Sequence, residues 1–91
     1  MTDGDFSWDD VKAETNVRVH HVTFEEAAEV FLRREPCRGR RRRQRGRLRA
    51  IGFTGRARIL TVVHIETVNG GVHIISAWRA TADERRIYEE G

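Results

Sequence analysis

The chain has 91 residues, which suits one domain (1–91) around one small core, and it has no apolar run near the ~20 residues of a membrane span. Its acidic N-terminus lacks a basic segment followed by an apolar one, and its single cysteine, Cys37, cannot form an internal disulfide, so no secretory signal, no membrane and a reducing cytoplasm are expected. The net charge of +3 hides a split: residues 1–36 carry four bases and nine acids, residues 37–58 ten arginines and no acid, and residues 59–91 three bases and five acids.

In chain order, Asp5–Trp8 alternates polar and aromatic residues, as a short strand does. Ser7 or Asp9 can cap a helix over residues 10–20, where Trp8, Val11, Thr15 and Val19 have the spacing of a thin inward stripe. Lys12, Asn16 and His20 recur every four residues and so share one side of that helix. Residues 22–34 form the clearest helix: Thr23 and Glu26 make a capping box, Phe24, Ala27, Ala28 and Phe31 make an apolar face, and Pro36 stops it. Residues 48–53 and 58–67 read as strands, the second rich in β-branched side chains. Asn69–Gly71 is a hairpin signal before a strand over 72–78. A last helix over 80–91 opens with a second capping box, Thr81 with Glu84. The order β-α-α-β-β-β-α predicts an α+β fold with an antiparallel sheet and packed helices.

Residues 38–49 hold eight arginines in twelve positions and no acid. Such a run cannot be buried, so 37–47 is expected to be an exposed arginine-rich loop. Uncompensated guanidinium groups bind polyanions in a salt-dependent way, and Arg40, Arg41, Arg42, Arg43, Arg45, Arg47 and Arg49 are read as RNA or phosphate contacts in preference to a merely tolerated loop. No aromatic interleaves the run, so it gives no sign of base stacking.

The pattern of residues 6–31, followed by 49–67 and 73–90, resembles the BrnT toxins of type II toxin–antitoxin systems. Phe6, Trp8, Asp9, Lys12, Asn16, His20, Val22, Phe24, Glu26 and Ala27 fit the N-terminal pattern, and Ile74, Ile75, Ser76, Ala77, Arg79, Ala80, Thr81, Glu84, Arg85, Tyr88 and Glu89 fit the C-terminal one. The resemblance implies a RelE-like fold and a ribonuclease that inhibits translation. It also implies a BrnA-like antitoxin with a ribbon-helix-helix domain, a hetero-oligomer with it, and operator DNA bound through it. The chain departs from the pattern at several places. Val19 and His21 replace the Lys and Gly of Lys-His-Gly, Gly46 and Leu48 flank Arg47 where Glu-Arg-Trp is usual, and His73 and Trp78 replace arginines.

RNA cleavage without metal needs deprotonation of a 2′-hydroxyl, stabilisation of a phosphorane and protonation of the 5′-oxygen. Lys12, His20 and Arg79 supply residue types for that set, with Arg47 as a further phosphate contact; no metal and no other cofactor is expected. Plainer roles compete: His20 as a cation suited to a helix C-terminus, Lys12 as a partner of Asp9 or Asn16, and His21, His64 and His73 as sheet or surface residues. Trp8 and Trp78 read as packing in preference to stacking platforms, Arg85 and Arg86 as a solvated face with Glu89 and Glu90, and Cys37 as incidental. A non-enzymatic RNA- or partner-binding module of the same fold is the alternative. The two readings differ in whether Lys12, His20, Arg47 and Arg79 converge in one cleft.

Overall fold

The computed structural model describes residues 2–3, 5–32, 46–68 and 70–90. The elements are β1 (Thr2–Asp3), β2 (Phe6–Trp8), α1 (Asp10–His20), α2 (Phe24–Leu32), β3 (Leu48–Phe53), β4 (Ile59–Glu66), β5 (Val72–Arg79) and α3 (Ala82–Glu90). The arginines of 38–45 and Cys37 lie outside the described residues; of the expected arginine loop, Gly46 and Arg47 are described, and both are exposed. Among the described residues no helix is long and apolar enough to cross a membrane.

One sheet carries the strands in the order β1-β2-β5-β4-β3. The three C-terminal strands form the expected antiparallel meander, with Ile51 opposite Thr61 and Thr61 opposite Trp78. The N-terminal strand makes the sheet mixed: β2 lies parallel to β5, with Phe6, Ser7 and Trp8 opposite Val72, His73 and Ile74. That junction depends on Gly71, because a Cβ there would stand 2.7 Å from the Asp5 carbonyl oxygen. The same carbonyl accepts the Val72 N–H at 2.8 Å. Gly70 supplies the positive φ of 80° that the β4–β5 turn needs.

Helices α1 and α2 cover one face of the sheet. Phe24, Ala27, Ala28 and Val30 of α2 pack on Ala50, Leu60, Val62, Ile74 and Ala77, with Phe6 and Trp8 closing the side. Trp8 meets Phe24 edge-on at 5.9 Å, which makes it a core residue as expected. His64 belongs to this face too, fully buried and edge-on to Phe31 at 4.8 Å. Helix α3 covers the other face at β3, where Tyr88 meets Phe53 edge-on at 5.9 Å and Ile51 is buried.

The inward face of α1 differs from the expected one. Val11 and Val19 are 72% and 60% exposed and Thr15 is exposed, whereas Asn16 is buried and Ala13 packs on the core. The helix is rotated to bring in Asn16, whose polar atoms all find partners in the protein.

Thr23 and Thr81 both cap their helices, but only Thr81 makes the full expected box, because Arg58 and Thr54 take the Glu26 carboxylate. Thr23 Oγ1 accepts the Glu26 N–H at 3.0 Å. At α3 the exchange is reciprocal: Thr81 Oγ1 accepts the Glu84 N–H at 3.2 Å, and Glu84 Oε1 accepts the Thr81 N–H at 2.9 Å. Asp9, not Ser7, caps α1, accepting from Val11 and Lys12. On α3 the exposed Arg86 lies 3.9 Å from Asp83, one turn back, which replaces the expected pairing with Glu90.

Helix α1 ends on His21 in the left-handed conformation, with φ 59° and ψ 34°, its N–H donating to Val17 at 2.9 Å. A residue with a Cβ is strained there, and glycine is not. H21G is therefore expected to raise stability by about 0.5–1 kcal/mol and the unfolding midpoint by a few degrees. Thermal unfolding of the two chains, followed by circular dichroism, checks this.

Candidate active site at the end of β5

The polar chemistry of the described residues gathers where α1 ends over the last residues of β5. Asn16 builds this corner. Its Nδ2 donates to the carbonyls of Val22 at 3.0 Å and Ala77 at 2.8 Å. Its Oδ1 accepts the Ala77 N–H at 3.2 Å and the Ser76 hydroxyl at 3.2 Å. The helix is thereby tied to the strand next to Trp78 and Arg79. His20 follows one turn later on the same side of α1 and stands beside the Trp78 indole, ring centres 6.0 Å apart at 45°.

Val19, His20, Trp78 and Arg79 line an open hollow of about 570 Å³. Trp78 is fixed from the opposite face of the sheet. Its Nε1 donates to Glu84 Oε1 at 3.0 Å, and the same oxygen accepts the Thr61 hydroxyl at 2.9 Å. Glu84 Oε2 lies 3.5 Å from Arg49 Nη1, and the Arg49 guanidinium stands 5.7 Å from the centre of the indole. Burial alone would push the Glu84 carboxyl up, but the Thr81 amide, the Trp78 indole, the Thr61 hydroxyl and the Arg49 charge together hold it below its ordinary value.

A second buried carboxylate braces the turn between β3 and β4. Arg58 grips both oxygens of Glu26, Thr54 Oγ1 donates to Glu26 at 2.8 Å, and the Gly55 N–H donates to Glu29 at 2.7 Å. The paired hydrogen bonds from Arg58 hold the Glu26 carboxyl down against the opposing effect of burial, and Glu26 in turn raises the Arg58 guanidinium.

Of the residues singled out in the sequence, His20 and Arg79 meet in the hollow. Lys12 is exposed and does not line it. It lies eight residues before His20, ~12 Å along the helix axis. Arg47 is exposed and immediately precedes Leu48, which faces His64, whereas Arg79 faces Leu60. That places Arg47 toward the opposite end of the sheet, roughly 17 Å away along the strands. Arg49 is engaged with Glu84 and Trp78, and Arg40–Arg43 and Arg45 lie outside the described residues. His73 faces the Ser7 hydroxyl at 2.8 Å across the sheet. Sequence reasoning recognised Glu84 only as a cap; its second role depends on Thr61 and Trp78, which come near it only once the strands pair.

The sequence profile described as "Ribonuclease toxin, BrnT, of type II toxin-antitoxin system" matches residues 8–84. The chain belongs to the BrnT family. The crystal structure of the Brucella abortus ribonuclease toxin, BrnT, superposes with a TM-score of 0.68 at 26% identity, covering 84% of this chain and 95% of that one. No curated protein matches the chain in sequence. The family is one of ribonuclease toxins that act within toxin–antitoxin pairs, so an antitoxin partner and RNA targets come with membership. Within the BrnT match fall Asn16, His20, Trp78, Arg79 and Glu84. Among the described residues no group of three or more His, Cys, Asp and Glu could hold a metal ion.

The two buried carboxylates set an acid limit. Both titrate lower in the folded chain than their ordinary value of 4.5. Their stabilisation is therefore complete above that value and is lost as pH falls through the lower, folded-state values. Urea midpoints are expected to fall steeply below about pH 4.5. E26Q should lower stability at pH 7 by about 2 kcal/mol and flatten the acid decline.

Proposed function

We propose that this BrnT-family chain is a cytoplasmic, metal-independent endoribonuclease that inhibits translation by cutting RNA. We further propose that a cognate BrnA-like ribbon-helix-helix antitoxin neutralises it in a hetero-oligomer that reaches operator DNA through the antitoxin. The observation that carries the catalytic part is that His20 and Arg79, 59 positions apart in sequence, line the same hollow.

In this reading the 2′-oxygen attacks the adjacent phosphorus and the bond from phosphorus to the 5′-oxygen breaks. The products are a 2′,3′-cyclic phosphate and a 5′-hydroxyl. His20 carries a proton in that exchange, since an imidazole changes charge near neutral pH. Arg79, exposed at the last position of β5, offers its guanidinium to the negative phosphorane. Lys12, two helical turns from His20, serves better as a contact to the approaching strand than as a proton carrier. Arg40–Arg43, Arg45 and Arg47 supply long-range attraction for the polyanion, and Arg49 acts through its position beside Trp78. One imidazole beside a guanidinium, which has no lone pair to offer a metal, suits proton transfer and charge stabilisation.

Because Lys12 and Arg47 stand apart from the hollow, a second reading has support: a module that binds RNA or a partner without cutting. Cleavage by the purified chain at low salt separates the two. H20A with R79A is expected to lower the rate at least ~100-fold, with chelator making no difference to the parent. RNA binding without cleavage by the parent supports the module instead. Induced expression should arrest growth, and co-expression of the cognate antitoxin should relieve it.

A further inference from the structure

We propose that Trp78 is a base-stacking platform, on which one unpaired nucleobase of an RNA strand rests in the hollow while Arg79 holds a neighbouring phosphate. The choice of RNA as ligand rests on the ribonuclease reading; the stacking itself rests on the geometry.

The two tryptophans are used differently. Trp8 is 4% exposed and locked edge-on against Phe24 in the core. Trp78 is half-buried and lines an open hollow beside a second aromatic residue, His20, and a cation, Arg79. An aromatic wall next to a guanidinium matches the two parts of a nucleotide, a flat base and an anionic phosphate. The hollow's volume of about 570 Å³ falls within the ~300–1,000 Å³ of small-ligand sites.

The platform is also held still. The indole N–H is tied to Glu84 at 3.0 Å, Glu84 is tied to Thr61 and to the start of α3, and Arg49 stands over the ring. A ring that loses little freedom on binding leaves more of its stacking energy for affinity. Duplex bases are hidden in their own stack, so the ligand must be single-stranded at this point. Among the lining residues Val19 offers no polar side-chain group, Trp78's N–H is already engaged, and in the ribonuclease reading Arg79 lies on a phosphate and His20 at the reacting ribose-phosphate. Base identity should therefore matter little, with larger purines favoured modestly over pyrimidines.

The test uses a short single-stranded RNA with 2′-O-methyl groups throughout, which cannot be cut, and the same strand with abasic sites. Binding is read by fluorescence anisotropy at low salt for the parent, W78L and W78F, each checked for folding by circular dichroism. The parent should bind the base-bearing strand ~10-fold or more tighter than the abasic one, as one stacked base gives. W78L should erase that difference while leaving abasic affinity unchanged, and W78F should restore part of it. Equal binding of the two strands by the parent overturns the proposal. So does a parallel loss for both strands in W78L, or failure of the base-bearing strand to bind. Because the probe cannot be cut, these outcomes do not depend on catalysis. A chain that stacks bases but never cleaves RNA loses the ribonuclease reading and keeps this one; cleavage with no base effect does the reverse.

Discussion

The Asn16 carboxamide has two donor hydrogens and two acceptor lone pairs, and all four are used inside the protein, on Val22, Ser76 and Ala77. A buried amide with any of these unmet would cost on the order of 1–3 kcal/mol per group, so the arrangement tolerates little displacement. It fixes the rotation of α1, the entry to α2 and the distance from α1 to β5 together. The exposure of Val11 and Val19 follows from it. So does the position of His20, one turn beyond Asn16 and beside Trp78.

The end of β5 is held from both faces of the sheet. Successive strand residues point to opposite sides. Ala77 is held through its backbone by Asn16 on the α1 side, and Trp78 is held through its indole by Glu84 on the α3 side. Each hub is a buried polar group whose partners come from distant parts of the chain. Where the two meet, β2 no longer runs alongside β5, because its pairing stops at Ile74. That leaves room for the hollow and for Arg79 at its mouth. In the proposed reading, this corner with its imidazole, indole and guanidinium is the surface that receives a nucleotide.

Much of the fold was legible because it is written locally. The Thr23 and Thr81 caps, the β-branched run of residues 58–67 and the turn at Gly70 each specify their element within a few residues. The parallel pairing of β2 with β5 was not legible, since it joins segments more than sixty residues apart and depends on a missing Cβ at Gly71. The inward face of α1 was misread because apolar spacing cannot reveal a polar residue that satisfies itself in the core. His20 and Arg79, singled out for their chemistry, line one hollow. The divergence of Lys12 and Arg47 and the second role of Glu84 required knowing which strands adjoin. Trp78 packs as the sequence suggests, against Glu84, Arg49 and His20, and that it also lines a hollow shows only once the strands pair.

The most direct measurement of the central claim is proton NMR of the parent and N16D, following cross-relaxation between the His20 imidazole and the Trp78 indole. Aspartate keeps the shape of asparagine but cannot donate to the Val22 and Ala77 carbonyls. The account predicts a clear contact in the parent and its loss in N16D, within a chain whose α2–sheet core contacts persist. An undiminished contact between His20 and Trp78 in N16D would contradict it.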